Sequence, residues 1–119
     1  MAYTRKLLPD LLRSRDSATF NGTYQTLGTP LTFNCSIVKL VNNSTVLVTV
    51  SIDGVNDYDV APGNSFYLYD VTSDSPMESG SIFIPLGTQY YVKGSVGTGL
   101  VYLVTYYEAQ SPVPQLPTV

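Results

Sequence analysis

Histidine is absent from this chain of 119 residues, and so is tryptophan. Without histidine the chain has no ordinary general base near neutral pH, no imidazole metal ligand and no Ser-His or Cys-His nucleophile pair. Cysteine occurs once, at Cys35, so neither an intrachain disulfide nor a cysteine metal site can form. Charge is sparse, at 13% of residues against ~25% in an average domain. After position 15 only Lys39 and Lys93 face eight carboxylates, a formal −6 that repels phosphates. No run of 18 apolar residues is available to span a bilayer, and the N-terminus lacks the apolar core and cleavage site of a secretory leader. Membrane and nucleic acid are therefore not the expected partners.

Positive charge is concentrated at the start. Arg5, Lys6, Arg13 and Arg15 lie within the first fifteen residues with Asp10 as the only acid, a formal +3. Leu7, Leu8, Leu11 and Leu12 are interleaved with them around Pro9, at a spacing that would share one helical face, although Pro9 opposes a regular helix there. Residues 1–17 are expected to form a docking arm, residues 18–108 the folded domain, and residues 109–119, with Pro112, Pro114 and Pro117, an extended tail or strap.

The body reads as strand after strand. Val46, Val48, Val50 and Ile52 alternate with Leu47, Thr49, Ser51 and Asp53, the period of a half-buried strand. Further strands are predicted at 19–26, 30–41, 56–61, 65–72, 80–84, 88–95 and 99–108. Gly28-Thr29-Pro30, Asn42-Asn43, Asp53-Gly54, Pro62-Gly63-Asn64, Ser75-Pro76, Pro85-Leu86-Gly87 and Gly97-Thr98-Gly99 separate them. Turn signals at this spacing with no helix between them predict one all-β domain, a jelly-roll-like antiparallel sandwich of about eight strands. Cys35 falls among alternating apolar residues and is read as a small buried hydrophobe.

Candidates for chemistry are few. Asp53, Asp57 and Asp59 surround Gly54 and could in principle hold calcium, but the loop lacks the EF-hand pattern and reads as hairpin-turn chemistry. Gly94 to Gly99 lacks the lysine and the following helix of a phosphate loop. No catalytic residue, metal site or cofactor is expected. Tyrosine, by contrast, is enriched at ten residues. If one face of each strand fills the core, Tyr67, Tyr69, Tyr91, Tyr102 and Tyr106 would line the other as contacts between copies, since tyrosine buries large area at low entropic cost.

Three stretches carry a resemblance. They are Tyr3 to Asp10 with Gly22-Thr23-Tyr24-Gln25, Ile37 to Ser44 running into Val50 to Gly54, and Ile84 to Ser95 followed by Gly97 to Val104. Together they resemble small β-sandwich virion structural proteins of tailed bacteriophages. The resemblance implies a non-enzymatic accessory protein of the virion, a capsid cement, decoration or neck protein. Capsid, neck or tail proteins would be its partners, and it would assemble as a homo-oligomer. On that reading Tyr3, Arg5, Lys6, Leu7, Leu8, Leu11, Leu12, Arg13 and Arg15 bind the particle. The alternative is a carbohydrate-binding module of a fibre, using the tyrosines and the Asp53–Asp59 loop.

Overall fold

Period-2 patterning rich in β-branched and aromatic residues folds this chain into strands throughout. The computed structural model describes residues 3–71 and 82–112, with side chains for 6–71 and 82–109. Among the described residues nine strands run in order: β1 (Tyr3–Pro9), β2 (Arg13–Asp16), β3 (Gln25–Thr26), β4 (Cys35–Ser44), β5 (Val48–Ser51), β6 (Asp59–Ala61), β7 (Ser65–Asp70), β8 (Tyr91–Lys93) and β9 (Gly99–Pro112). Two antiparallel sheets result. The larger has the order β1-β9-β4-β7 with β2 also on β9, and the smaller β3-β8-β5-β6.

The pairing is nested. β2 pairs β9, β3 pairs β8, β4 pairs β7 and β5 pairs β6, all antiparallel. The chain is thus one long hairpin rolled into a sandwich, the jelly-roll arrangement. β1 and β2 both lie against β9 and act as one interrupted first strand. Beyond Tyr107, where β4 ends at Cys35, residues 3–7 and 108–112 continue as a two-stranded ribbon.

The inner faces supply the core: Val38 and Leu40 of β4, Val48 and Val50 of β5, Val92 of β8, Val101 and Leu103 of β9, closed by Phe20, Leu27 and Leu31 from the connections. Cys35 is fully buried among them, and burial first, then the Asp10 charge, raises its thiol pKa. Asn42 is also fully buried. Its amide nitrogen donates to the carbonyls of Val46, Ala61 and Pro62 at 2.8, 2.8 and 3.1 Å, and its oxygen accepts from Ser44 N–H and hydroxyl. One side chain thereby ties β4 to the chain entering β5 and leaving β6. β9 begins at Gly99, whose φ of +100° and closeness to Asn43, 2.3 Å from a would-be Cβ to the carbonyl oxygen, admit no side chain.

Several expectations change. Residues 3–16 hold strands and no helix, because the backbone groups of β1 and β2 pair with β9, and Leu7 and Leu8 consequently point to opposite faces. The expected strand over 19–26 is a 3-10 turn (Ser17–Thr19) and the short β3. Asn42-Asn43 is no turn; β4 runs through both because Asn42 is satisfied internally. Around 80–84 the described part contributes only a bridge, Ile84 to Cys35. The start of the proline-rich tail, through Pro112, belongs to β9, opposite Tyr3. Residues 113–119 lie outside the described residues.

Candidate functional site

Three surfaces gather the chemistry of this molecule. The first is the corner between β1 and β2. Arg13 faces inward opposite Leu103 and is 3% exposed. Its Nε donates to Thr29 O at 2.6 Å, Nη1 to Leu11 O at 2.7 Å and Nη2 to Pro30 O at 2.8 Å, with Asp10 Oδ2 3.4 Å from Nη2. Gly28 makes room for it: a Cβ there would sit 2.6 Å from that of Arg13. Asp10 in turn accepts from Leu11 N–H and from the Thr32 hydroxyl and N–H. Burial pushes the Asp10 carboxyl up, but those hydrogen bonds, led by the Thr32 hydroxyl, and the Arg13 charge outweigh it and hold its pKa below the usual range. The clamp leaves Leu11 and Leu12 on the outside, 61% and 59% exposed.

The expected partner-binding set is therefore divided. Arg13 is internal, a correction forced by burial, since every donor group of its guanidinium is engaged within the chain. Arg15 is likewise turned to its own fold, donating to Thr26 O at 2.6 Å and to the Thr19 hydroxyl at 3.1 Å. Lys6, Leu7, Leu11 and Leu12 are exposed and Leu8 is half-buried. Tyr3 and Arg5 sit in β1 opposite Pro112 and Gln110, and their side chains lie outside the described residues.

The second surface is the outer face of the larger sheet. Register places Tyr106, Ile37 and Asp70 in one row, Val104, Lys39 and Leu68 in the next, and Tyr102, Val41 and Phe66 in a third. Phe66 and Leu68 are 61% and 52% exposed. Lys39 Nζ lies 4.7 Å from the Phe66 ring centroid, so even this charge is laid over an aromatic face. The expectation that Tyr67 and Tyr69 line the outer face is corrected by register, which sets them opposite Leu40 and Val38 on the inner face and leaves Phe66 and Leu68 outside.

The five tyrosines accordingly do not form one patch. Tyr102 and Tyr106 share the outer face of the larger sheet, Tyr91 lies on the smaller sheet, and Tyr67 and Tyr69 line a cavity between the sheets. β8 belongs to the second sheet, which strand parity alone does not reveal. The outer-face residues that strand reading passed over, Ile37, Lys39, Val41, Phe66 and Leu68, had one available signal: β4 and β9 are apolar at both parities.

The third surface is that cavity, about 340 Å³, at the β6–β7 edge, walled by Val50, Ile52, Tyr58, Tyr67, Tyr69, Phe83, Ile84 and Tyr90. Tyr67 and Tyr69 meet edge to face at 5.1 Å. The Tyr67 hydroxyl is buried without a hydrogen-bond partner, and burial, then Tyr90, Tyr69 and Asp59, raises its pKa. Beside the cavity runs the acidic loop. Asp53 accepts from the N–H groups of Asn56 and Val55, both at 2.8 Å, and these, first Asn56, lower its pKa. Asp57 accepts from the Tyr24 hydroxyl and pairs with Lys93 at 3.1 Å, and these, Tyr24 first, lower its pKa. Asp59 accepts from the Tyr69 hydroxyl. All three carboxylates are thus engaged by the fold, and among the described residues no three acidic or cysteine side chains group to hold a metal ion.

Comparison of the chain with protein-family models, with curated proteins and with solved structures found no match.

Proposed function

We propose that this chain is a non-enzymatic structural subunit that packs the outer face of its larger sheet against other protein chains. The observation that carries this is the second apolar face. An antiparallel sheet with one solvated side shows polar residues there, whereas Phe66, Leu68, Val41, Val104, Tyr102 and Tyr106 occupy it here. Aromatic and aliphatic groups clustered around Lys39, with Asp70 at the end of one row, have the composition of a protein interface. The narrower setting, an accessory protein of a tailed-phage virion such as a capsid cement or neck protein, rests on the resemblance of three sequence stretches. The jelly roll adds only analogy, because that fold also builds lectin domains and cupins. The carbohydrate alternative is weaker, since the aspartates it requires are held by Lys93, Tyr24, Tyr69 and backbone N–H groups.

The test uses the intact protein and virions lacking it. Wild type is expected to co-sediment with the particles, and Phe66→Lys/Leu68→Lys, both at exposed positions, to lose at least about tenfold in affinity, a change of ~1.4 kcal/mol. Undiminished co-sedimentation of the folded double variant removes the outer face from this role. Absence of wild-type binding removes the virion setting.

A further inference from the structure

We propose that copies of this chain associate head to tail, the Leu11–Leu12 corner of one copy entering the cavity between β6 and β7 of the next. The inference does not depend on the outer sheet face and concerns the two edges of the sandwich.

The corner and the cavity lie at opposite edges. β2 and β3 end the two sheets on one side, and β7 and β6 end them on the other, so the two features cannot meet within one chain. Their sizes correspond. An engineered apolar cavity of ~150 Å³ takes up benzene, and 340 Å³ is room for two groups of that size. A leucine side chain has four carbons to the six of benzene, so two adjacent leucines fit.

Charge is complementary across the same two edges. Residues 3–16 hold four basic residues, Arg13 paired inside the fold with Asp10, and with Asp16 and with Glu108 opposite Leu7 the edge carries a formal +1. Residues 48–71 hold Asp53, Asp57, Asp59 and Asp70 and no basic residue, a formal −4, with Lys93 of β8 beside Asp57. Fields of opposite sign orient the encounter and fix which edge meets which. The corner is also preorganised. Arg13 holds the Leu11 carbonyl and Asp10 holds the Leu11 N–H, so the leucines are presented without the ordering cost of a flexible loop. A contact between different surfaces of the same chain is heterologous and propagates into a closed ring or an open filament.

Two variants test this by complementation, each altering only exposed positions. Leu11→Asp/Leu12→Asp removes the corner and keeps the cavity. Ile52→Arg obstructs the cavity rim and keeps the corner. In sedimentation velocity, wild type should form species beyond a dimer below about 1 mM, the weak end of measurable association. Each variant alone should be a folded monomer by the same measurement and circular dichroism. An equimolar mixture should restore one junction and stop at a dimer. Leu11→Ser/Leu12→Ser should behave like the aspartate pair, which separates loss of apolar contact from charge repulsion. A wild type monomeric throughout, a variant that assembles like wild type, or a mixture that stays monomeric would each overturn the proposal.

Discussion

Arg13 shows how one buried cation can organise a sandwich edge. Its guanidinium joins the β1–β2 corner to Thr29 and Pro30, on the connection that leads from the smaller sheet back to the larger. Removing it leaves those carbonyls and the Asp10 carboxylate without their donor in a buried site. Arg13→Ala should therefore cost about 3–5 kcal/mol, the range for breaking one side of a buried pair, read from the urea midpoint. Arg13→Lys should recover little of it, because one ammonium cannot reproduce a fork aimed at several carbonyls. Asp10 supplies the pH counterpart. Its folded pKa lies below that of the unfolded chain, ~3.9, so its contribution is complete above that value and disappears as pH falls through the lower folded one. Stability of the wild type should drop on acidification below pH ~4, and Asp10→Asn should flatten that part of the curve while lowering the plateau. None of this was visible along the chain. In a low-charge sequence an arginine near the N-terminus reads as available to a partner, and two of its acceptors lie 16 and 17 residues away in the Gly28-Thr29-Pro30 turn, which signals a bend and not a cation site.

Among elements, β4 shows what alternation reveals and where it misleads. Its apolar residues at both parities, Ile37 and Val41 beside Val38 and Leu40, mark a strand whose outer face is apolar as well as its inner one, and turn signals such as Asp53-Gly54 and Pro62-Gly63-Asn64 do fall between described strands. Asn42 misleads because asparagine is a turn former by virtue of its amide. Here the same amide satisfies three carbonyls in the interior. Asn42→Ala should destabilise the protein by more than about 3 kcal/mol, since each buried group left unsatisfied costs about 1–3 kcal/mol. Asn42→Asp should be no better, because a carboxylate has no N–H to offer those carbonyls. Equilibrium denaturation of both variants checks this, and a loss under about 1 kcal/mol would show that water replaces the amide. The tyrosines illustrate the complementary limit. Parity says that neighbours point to opposite faces, but which face is inner depends on register, as with Tyr67 opposite Leu40, and on sheet membership, as with Tyr91.

At the scale of the whole molecule, the nested pairing determines what the first residues do. Turn chemistry specifies where strands end, yet nothing local specifies that Asp16 pairs with Leu100 or Arg13 with Leu103. An all-β class is therefore legible in this sequence and a strand order is not. A detachable arm and a first strand look alike until the partner strand is known. The two readings predict opposite results when residues 1–15 are deleted. A detachable arm would leave a folded body that merely fails to dock. In this structure the deletion removes β1, most of β2 and the Arg13 clamp, and it strips one whole edge of β9, a strand with Val101, Leu103 and Thr105 in the interior. An uncovered edge of that length is a template for pairing with other chains. The truncated protein should lose its cooperative unfolding transition or aggregate, as followed by far-ultraviolet circular dichroism and size-exclusion chromatography. Leu11→Asp/Leu12→Asp in the full chain should keep wild-type stability to within about 0.5 kcal/mol, the range for surface changes that touch no buried feature. A monomeric truncated protein with a cooperative transition near that of the full chain would restore the arm as an appendage and remove β1 and β2 from the jelly roll.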